Sequence, residues 1–313
     1  MNPAFSVIFL TVLIGAGQGL FLAMFGVEAG VGLKLLTTAD SMRLFVAGSV
    51  ICLLLTGLGL VASFFHLGHP ERAWRAAAMW RTSWLSREVI ALPLFMASVF
   101  AYGLGHYAGW GTTMTLGAIG AILSIALFIC TGMIYACIRF LQEWASPLTL
   151  VNYFLLGCAS GFTLACALVA VVEPDLVGTL GAGAIVLTIA GFAMRVASLM
   201  RNRALRPRSS LQTAIGVHHP RIVQKSQGFM GGSYNTRQFF HGCTPQFLRS
   251  IKWFFLLFAF VLPVILLGVG RQSGSILVLG LAFVIQFGGL VAERWFFFAQ
   301  ANHPQNLYYQ TIS

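Results

Sequence analysis

Residues 44–66 read LFVAGSVICLLLTGLGLVASFFH, 23 consecutive positions that carry no formal charge. About 20 apolar residues in a helix cross the ~30 Å hydrocarbon core of a bilayer, and this run is long enough to do so. Comparable runs lie near 4–26, 86–107, 114–138, 149–172, 176–199, 252–270 and 276–299, which makes eight spans. Composition agrees: 58% of residues are hydrophobic and 9% charged, with a mean hydropathy of +0.84, whereas a soluble domain carries about 25% charged residues. A transmembrane barrel would show ~10-residue strands of alternating hydrophobicity, and these runs have no such alternation. The first span has no basic leader and no small-residue cleavage site before a polar mature region, so it is read as a retained helix.

The expected fold is therefore an all-α integral membrane protein, a single polytopic domain over 1–313 with eight transmembrane helices arranged as two four-helix bundles. Basic residues fix the expected orientation. With alternating spans, one side receives Arg72, Arg75, Arg81, Arg87, Arg139, Lys225 and the arginines between 201 and 237, Arg249, Lys252 and Arg294, while the other receives Lys34, Arg43 and Arg271. By the positive-inside rule the richer side is cytoplasmic, and both termini lie on it. The net charge of +11 is mostly this bias. No nucleic-acid-binding motif accompanies it, so nucleic acid is not an expected partner.

Two connections are long enough to do more than turn the chain. In 67–86, Pro70 suits the first position of a short interfacial helix after the second span, with Trp74, Trp80 and Trp84 suited to the headgroup zone. The second connection, 200–250, mixes Gly, Pro, Ser and aromatic residues without a helical period, and structureless loops of that length are commonly functional. It is read as a cytoplasmic surface for docking a partner, the alternative being a basic tether near anionic lipid. Gly15 with Gly19, and Gly157 with Gly161, have the spacing that brings helices close in lipid.

Intrinsic redox cofactors are not expected. The seven histidines, at 66, 69, 106, 218, 219, 241 and 303, lie at span ends or in loops, so paired haem ligands deep in the bundle are missing. The cysteines include no CxxC pair, which disfavours iron–sulfur and metal sites and leaves packing thiols.

Ionisable residues at the span edges remain, and such residues tend to mark sites. His66 ends the second span and Glu88 begins the third, so both fall at one membrane boundary and bracket the interfacial segment FFHLGHPERAWRAAAMWRTSWLSREV, residues 64–89. A hydroquinone arriving from lipid must lose two protons as it loses two electrons, and a Glu with a His can hydrogen-bond its hydroxyls and accept those protons. The plainer alternative for Glu88 is a carboxylate in the first turn of a helix, favoured by the macrodipole. For His66 it is an interfacial hydrogen-bonder. Gln18, Tyr135, Arg139 and Arg195 are further polar candidates, each with the alternative of an interhelical hydrogen bond or a snorkelling charge. The candidate quinone-binding set is His66, Glu88, Arg72, Arg87, Trp84, Gln18, Tyr135 and Arg139, with His66 and Glu88 handling protons.

At HLGHPERA followed by SWLSREV (66–73, 83–89), at SPLTLVNYFLLGCASG (146–161) and at HHPRIVQKSQGFMGGSYNTRQFFHG (218–242), the chain resembles the membrane anchor subunits of dimethyl sulfoxide reductase and related molybdoenzyme complexes, including sulfite-oxidising ones. The resemblance covers essentially the whole length. It implies a haem-free anchor in the bacterial inner membrane, partnered by a four-cluster ferredoxin-like iron–sulfur subunit and a molybdopterin catalytic subunit. Such an anchor exchanges electrons with a quinone or menaquinone pool as bound substrate, and leaves terminal substrate chemistry to the partner. It also matches His66 and Glu88 to the quinol site. A secondary transporter is the competing reading, disfavoured because transporters place ionisable groups near the midplane on broken helices.

Overall fold

A computed structural model describes residues 1–38, 41–223, 239–304 and 306. The part of the 200–250 connection from 224 to 238 lies outside the described residues. Among the described residues, eight helices are long and apolar enough to cross a membrane: α1 (Phe5–Gly32), α2 (Ser41–Phe64), α3 (Trp84–Ala108), α4 (Thr113–Ala136), α5 (Pro147–Val172), α6 (Val177–Arg203), α8 (Pro245–Ser273) and α9 (Ile276–Ala299). A short helix α7 (Leu211–Ile215) interrupts the long connection. Sequence reading sees no helical period there. The local signal is nevertheless present, since Ser210 forms a capping box with Thr213 and Gly216 ends the turn in the left-handed region at φ 71°.

Helix starts are set by small hydroxyl residues. Ser83 accepts from the Ser86 amide at 3.3 Å, Ser146 from Leu148 at 3.2 Å with Pro147 behind it, and Thr244 from Phe247 at 3.3 Å with Pro245 behind it. Each satisfies an amide that the first helical turn leaves without a partner. Capping by Ser83 starts α3 at Trp84, two residues earlier than the hydropathy run suggests, and α8 likewise starts at Pro245 rather than 252. Segment 67–86 contains a 3₁₀ helix over Pro70–Ala77 with Pro70 in its first turn, in which no residue is buried.

Packing centres on α1, the most buried of the spans. It lies against α2, α4, α5 and α9. Helices α2, α3 and α4 pack in sequence order, and α5, α6, α8 and α9 contact one another. The α1–α5 seam is built on glycine. A Cβ placed on Gly19 would overlap the Gly157 carbonyl, and one on Gly161 would overlap the backbone of Gly19 and Leu20. Main chain therefore meets main chain, the close approach that substitutes in lipid for hydrophobic association.

A polar fixture sits at the far end of α1, away from its N terminus. Glu28 and His106 of α3 approach to 3.3 Å (Oε1 to Nε2) with their side chains about 10% exposed, and the His106 ring packs on Phe45 of α2 and Tyr102 of α3. Sequence reading does not single out Glu28 or the more deeply buried Glu293 of α9. Both lie in the last third of their helices.

The glycine seam predicts that Gly161→Leu destabilises the protein by at least ~3 kcal/mol, because backbone atoms cannot retreat from an inserted side chain. Gly26→Ala, where an added Cβ meets nothing within 4 Å, is expected to leave the apparent Tm of the purified protein within a degree or two.

Candidate functional site

The end of the molecule shared by the starts of α1, α3 and α5 and the finishes of α4 and α9 holds a cleft. Its walls come from all five helices: Leu10, Thr11, Ile14 and Gln18 of α1, Glu88 of α3, Phe128 and Thr131 of α4, Tyr153 and Ser160 of α5, and Leu290 and Arg294 of α9. Its volume is about 20 Å³, room for about one water molecule, so a larger ligand enters only as the side chains that line it move apart. An apolar cavity with a few convergent polar groups is the usual form of a small-molecule site.

Each polar wall residue has a local reason for its position. Because α3 begins at the Ser83 cap, Glu88 falls in the second turn and faces α4, where the Thr131 hydroxyl donates a short hydrogen bond to its carboxylate. The adjacent Arg87 turns the other way. Its Nε donates to the Trp80 carbonyl at 2.9 Å and its Nη2 to that of Arg81 at 2.7 Å, while its guanidinium lies 4.2 Å from the centre of the Trp84 ring. Arg87 and Trp84 thus close the turn that leads into α3, and the guanidinium is not spent on Glu88. On α1, Gln18 is buried and donates from Nε2 to the Ser124 carbonyl at 2.8 Å, tying α1 to α4. Thr11 and Ser160 return their hydroxyls to carbonyls of their own helices at 3.0 Å. Among the described residues the Tyr153 hydroxyl and Arg294 Nε are buried without a hydrogen-bond partner.

The structure brings two of the eight candidates, Glu88 and Gln18, to the cleft wall. Tyr135 stands one layer behind, its ring stacked on Tyr153 at 5.6 Å and edge-on to Trp144, Phe297 and Phe298. Trp84 and Arg87 belong to the turn. His66 is exposed two residues past the end of α2, Arg72 is exposed with its Nε 3.6 Å from Glu71, and Arg139 is exposed beyond α4; none of the three lines the cleft. Arg195 does not snorkel. It is buried in α6 and meets Glu293 of α9 at 2.7 Å.

Sequence reasoning passes over Thr131, Tyr153, Ser160 and Arg294. The first three are ordinary in lipid-spanning helices and carry no signal on their own. Arg294 does carry one: it follows Glu293 in an otherwise uncharged span, yet its position near the span's end reads as a flanking charge. Among the described residues no three His, Cys, Asp or Glu side chains gather closely enough to hold a metal ion.

Among the described residues, eight apolar spans around a cleft with a few polar groups define a polytopic membrane protein. Residues 1–309 match the DMSO reductase anchor subunit (DmsC) family, and the chain belongs to it. It is 52% identical to a sulfite dehydrogenase subunit of Allochromatium vinosum, with both proteins covered over their full length. It is also 31% identical to the anaerobic dimethyl sulfoxide reductase chain YnfH of Escherichia coli K12, over 42% of this chain and 46% of that one.

The turn geometry predicts that Arg87→Ala, which removes two charge-assisted hydrogen bonds, speeds hydrogen exchange of the amides in 80–86 by about one to two orders of magnitude. Arg87→Lys is expected to restore little of the protection, since an ammonium cannot fork between two carbonyls and stack on Trp84 at once.

Proposed function

We propose that the chain is the quinone-reactive anchor of a sulfite-oxidising complex in the bacterial inner membrane, and that its five-helix cleft receives the quinone head group. The observation that carries this reading is the pairing, in one cleft between lipid-spanning helices, of a carboxyl group held by Thr131 with apolar walls from Leu10, Ile14, Phe128 and Leu290. A quinone needs both. Its ring and isoprenoid tail partition into apolar surface, and each of its carbonyl oxygens must gain or lose a proton as electrons move.

In this reading the partner subunits dock at the basic end of the helices, where the cleft also lies, so that electrons released by sulfite oxidation reach the quinone through the partner's iron–sulfur clusters. Two electrons and two protons convert the quinone to the quinol, one proton passing through Glu88 and the other reaching the second oxygen from water at the cleft mouth. Glu88, in hydrogen-bond reach of the Thr131 hydroxyl, delivers a proton to the nearer carbonyl oxygen and is reloaded from water at the cleft mouth. General acid transfer from a positioned carboxyl contributes typically 10²–10⁴-fold. His66, standing outside the cleft, is assigned proton exchange with water rather than contact with the head group. The full-length similarity to a sulfite dehydrogenase subunit supports quinone reduction as the working direction over quinol oxidation coupled to dimethyl sulfoxide reduction. The basic flanks of the spans support placing both termini and the 200–250 connection in the cytoplasm.

The test is turnover of the purified three-subunit complex with sulfite, read once with a water-soluble dye as acceptor and once with a short-tailed quinone. Glu88→Gln keeps the shape of the side chain and is expected to leave dye reduction intact while lowering quinone reduction at least ~100-fold. Equal loss with both acceptors would give Glu88 a structural role instead. Undiminished quinone reduction would remove it from the site.

A further inference from the structure

A buried charge imbalance lies behind the cleft. Arg195, Glu293 and Arg294 are 1%, 1% and 5% exposed, and together hold two guanidinium groups against one carboxylate. The carboxylate is committed. Arg195 Nε stands 2.7 Å from Glu293 Oε1, whereas Arg294 Nε is 3.9 Å from Oε2, too far for a hydrogen bond. Arg294 instead lies over the Tyr153 ring, 3.7 Å from its centre, with Nε unpartnered among the described residues. Glu88, the other charged side chain on the cleft wall, forms no ion pair with it. A guanidinium buried among membrane-spanning helices that shares its one carboxylate with a second arginine is costly, which makes it a candidate ligand contact.

Arginine stays charged at all accessible pH and has donors but no acceptor. Its natural complement is therefore an oxygen that accepts hydrogen bonds and gains electron density. Resting on the quinone reading above, we propose that Arg294 binds the second carbonyl oxygen of the quinone, so that the ring lies between unlike poles: a carboxyl group that exchanges protons at one oxygen and a guanidinium that cannot at the other. The ligand class this selects is a para-quinone with two acceptor oxygens across one ring. Arg195 then acts as a positioning residue. By holding Glu293 it keeps Arg294 available, and in Arg195→Gln the released carboxylate has only Arg294 to pair with, which withdraws that guanidinium from the cleft.

The inference is tested on the purified complex with decylubiquinone carrying ¹³C at one ring carbonyl or the other, by infrared difference spectroscopy alongside quinone-linked kinetics. Wild type is expected to show two distinct carbonyl bands, one lowered by the guanidinium. In Arg294→Gln the bands should converge and the KM for decylubiquinone rise roughly 10- to 100-fold, the loss of one charge-assisted hydrogen bond, while dye-linked turnover is retained. Arg294→Lys is expected to recover part of both effects, and Arg195→Gln to reproduce the convergence although it does not line the cleft. Bound quinone with equivalent carbonyls in wild type, or a KM in Arg294→Gln within twofold of wild type, overturns the inference and leaves the cleft as a quinone site. Absence of any bound-quinone bands in wild type instead removes the site reading and this inference with it. Should Arg294→Gln fail to assemble, the wild-type spectrum and Arg294→Lys decide by the same criteria.

Discussion

The contact on which the structure depends is the one between α1 and α5, where Gly15 and Gly19 meet Gly157 and Gly161 without intervening side chains. Lipid chains are as apolar as leucine, so two apolar helices in a bilayer gain nothing from hiding their surfaces from water. They gain from close packing, and glycine gives the closest. The seam also positions the cleft. Thr11, Ile14, Gly15 and Gln18 on one helix, and Tyr153, Leu156, Gly157 and Ser160 on the other, line it, so the same approach that joins these helices sets the distance between two of the walls. Glu88 and Thr131 on α3 and α4, and Arg294 on α9, then close the site from either side of that axis.

The polar groups follow from the cost of burial. Most hydroxyls in the spans return to a carbonyl three or four residues back, as Thr11, Ser49, Thr56, Thr163 and Thr188 do, which satisfies them without reference to neighbouring helices. Other polar side chains tie helices together: Thr131 of α4 to Glu88 of α3, Gln18 to α4, and Gln286 of α9 to Thr188 of α6 and the Ala259 carbonyl of α8. The Gln286 contact coincides with a π turn over Leu257–Val261, just before Pro263, whose missing amide breaks the regular ladder. Ion pairs sit towards the two ends of the spans, with Glu28–His106 at one and Arg195–Glu293 at the other. Only the second set is unbalanced, and only that one borders the cleft.

Much of this architecture is legible in the sequence, because a span announces itself through twenty uncharged residues and a capped start through a Ser or Thr before Pro or a polar turn. Glu88 and Gln18 stand out for the same reason, as polar side chains where apolar ones are the rule. What the sequence hides is which of several nearby polar residues face inward. His66, Arg72 and Arg139 share a boundary with Glu88 but stand on connections that turn away from the cleft. Arg294, one residue from a buried glutamate, has the appearance of a charge bound for the headgroups. Its direction is decided by the Tyr153 ring on α5 and the Glu293–Arg195 pair, contacts 141 and 98 positions apart in the chain. No local pattern encodes them.

The most direct measurement of the central claim is photolabelling of the assembled complex with an azidoquinone, followed by mapping of the modified peptides. The five-helix cleft predicts adducts within residues 10–18 and 153–160, lost in the presence of excess unlabelled quinone and diminished by Gly161→Ala, which disturbs the seam without adding polarity. Competable labelling confined to segments away from α1 and α5 would contradict it.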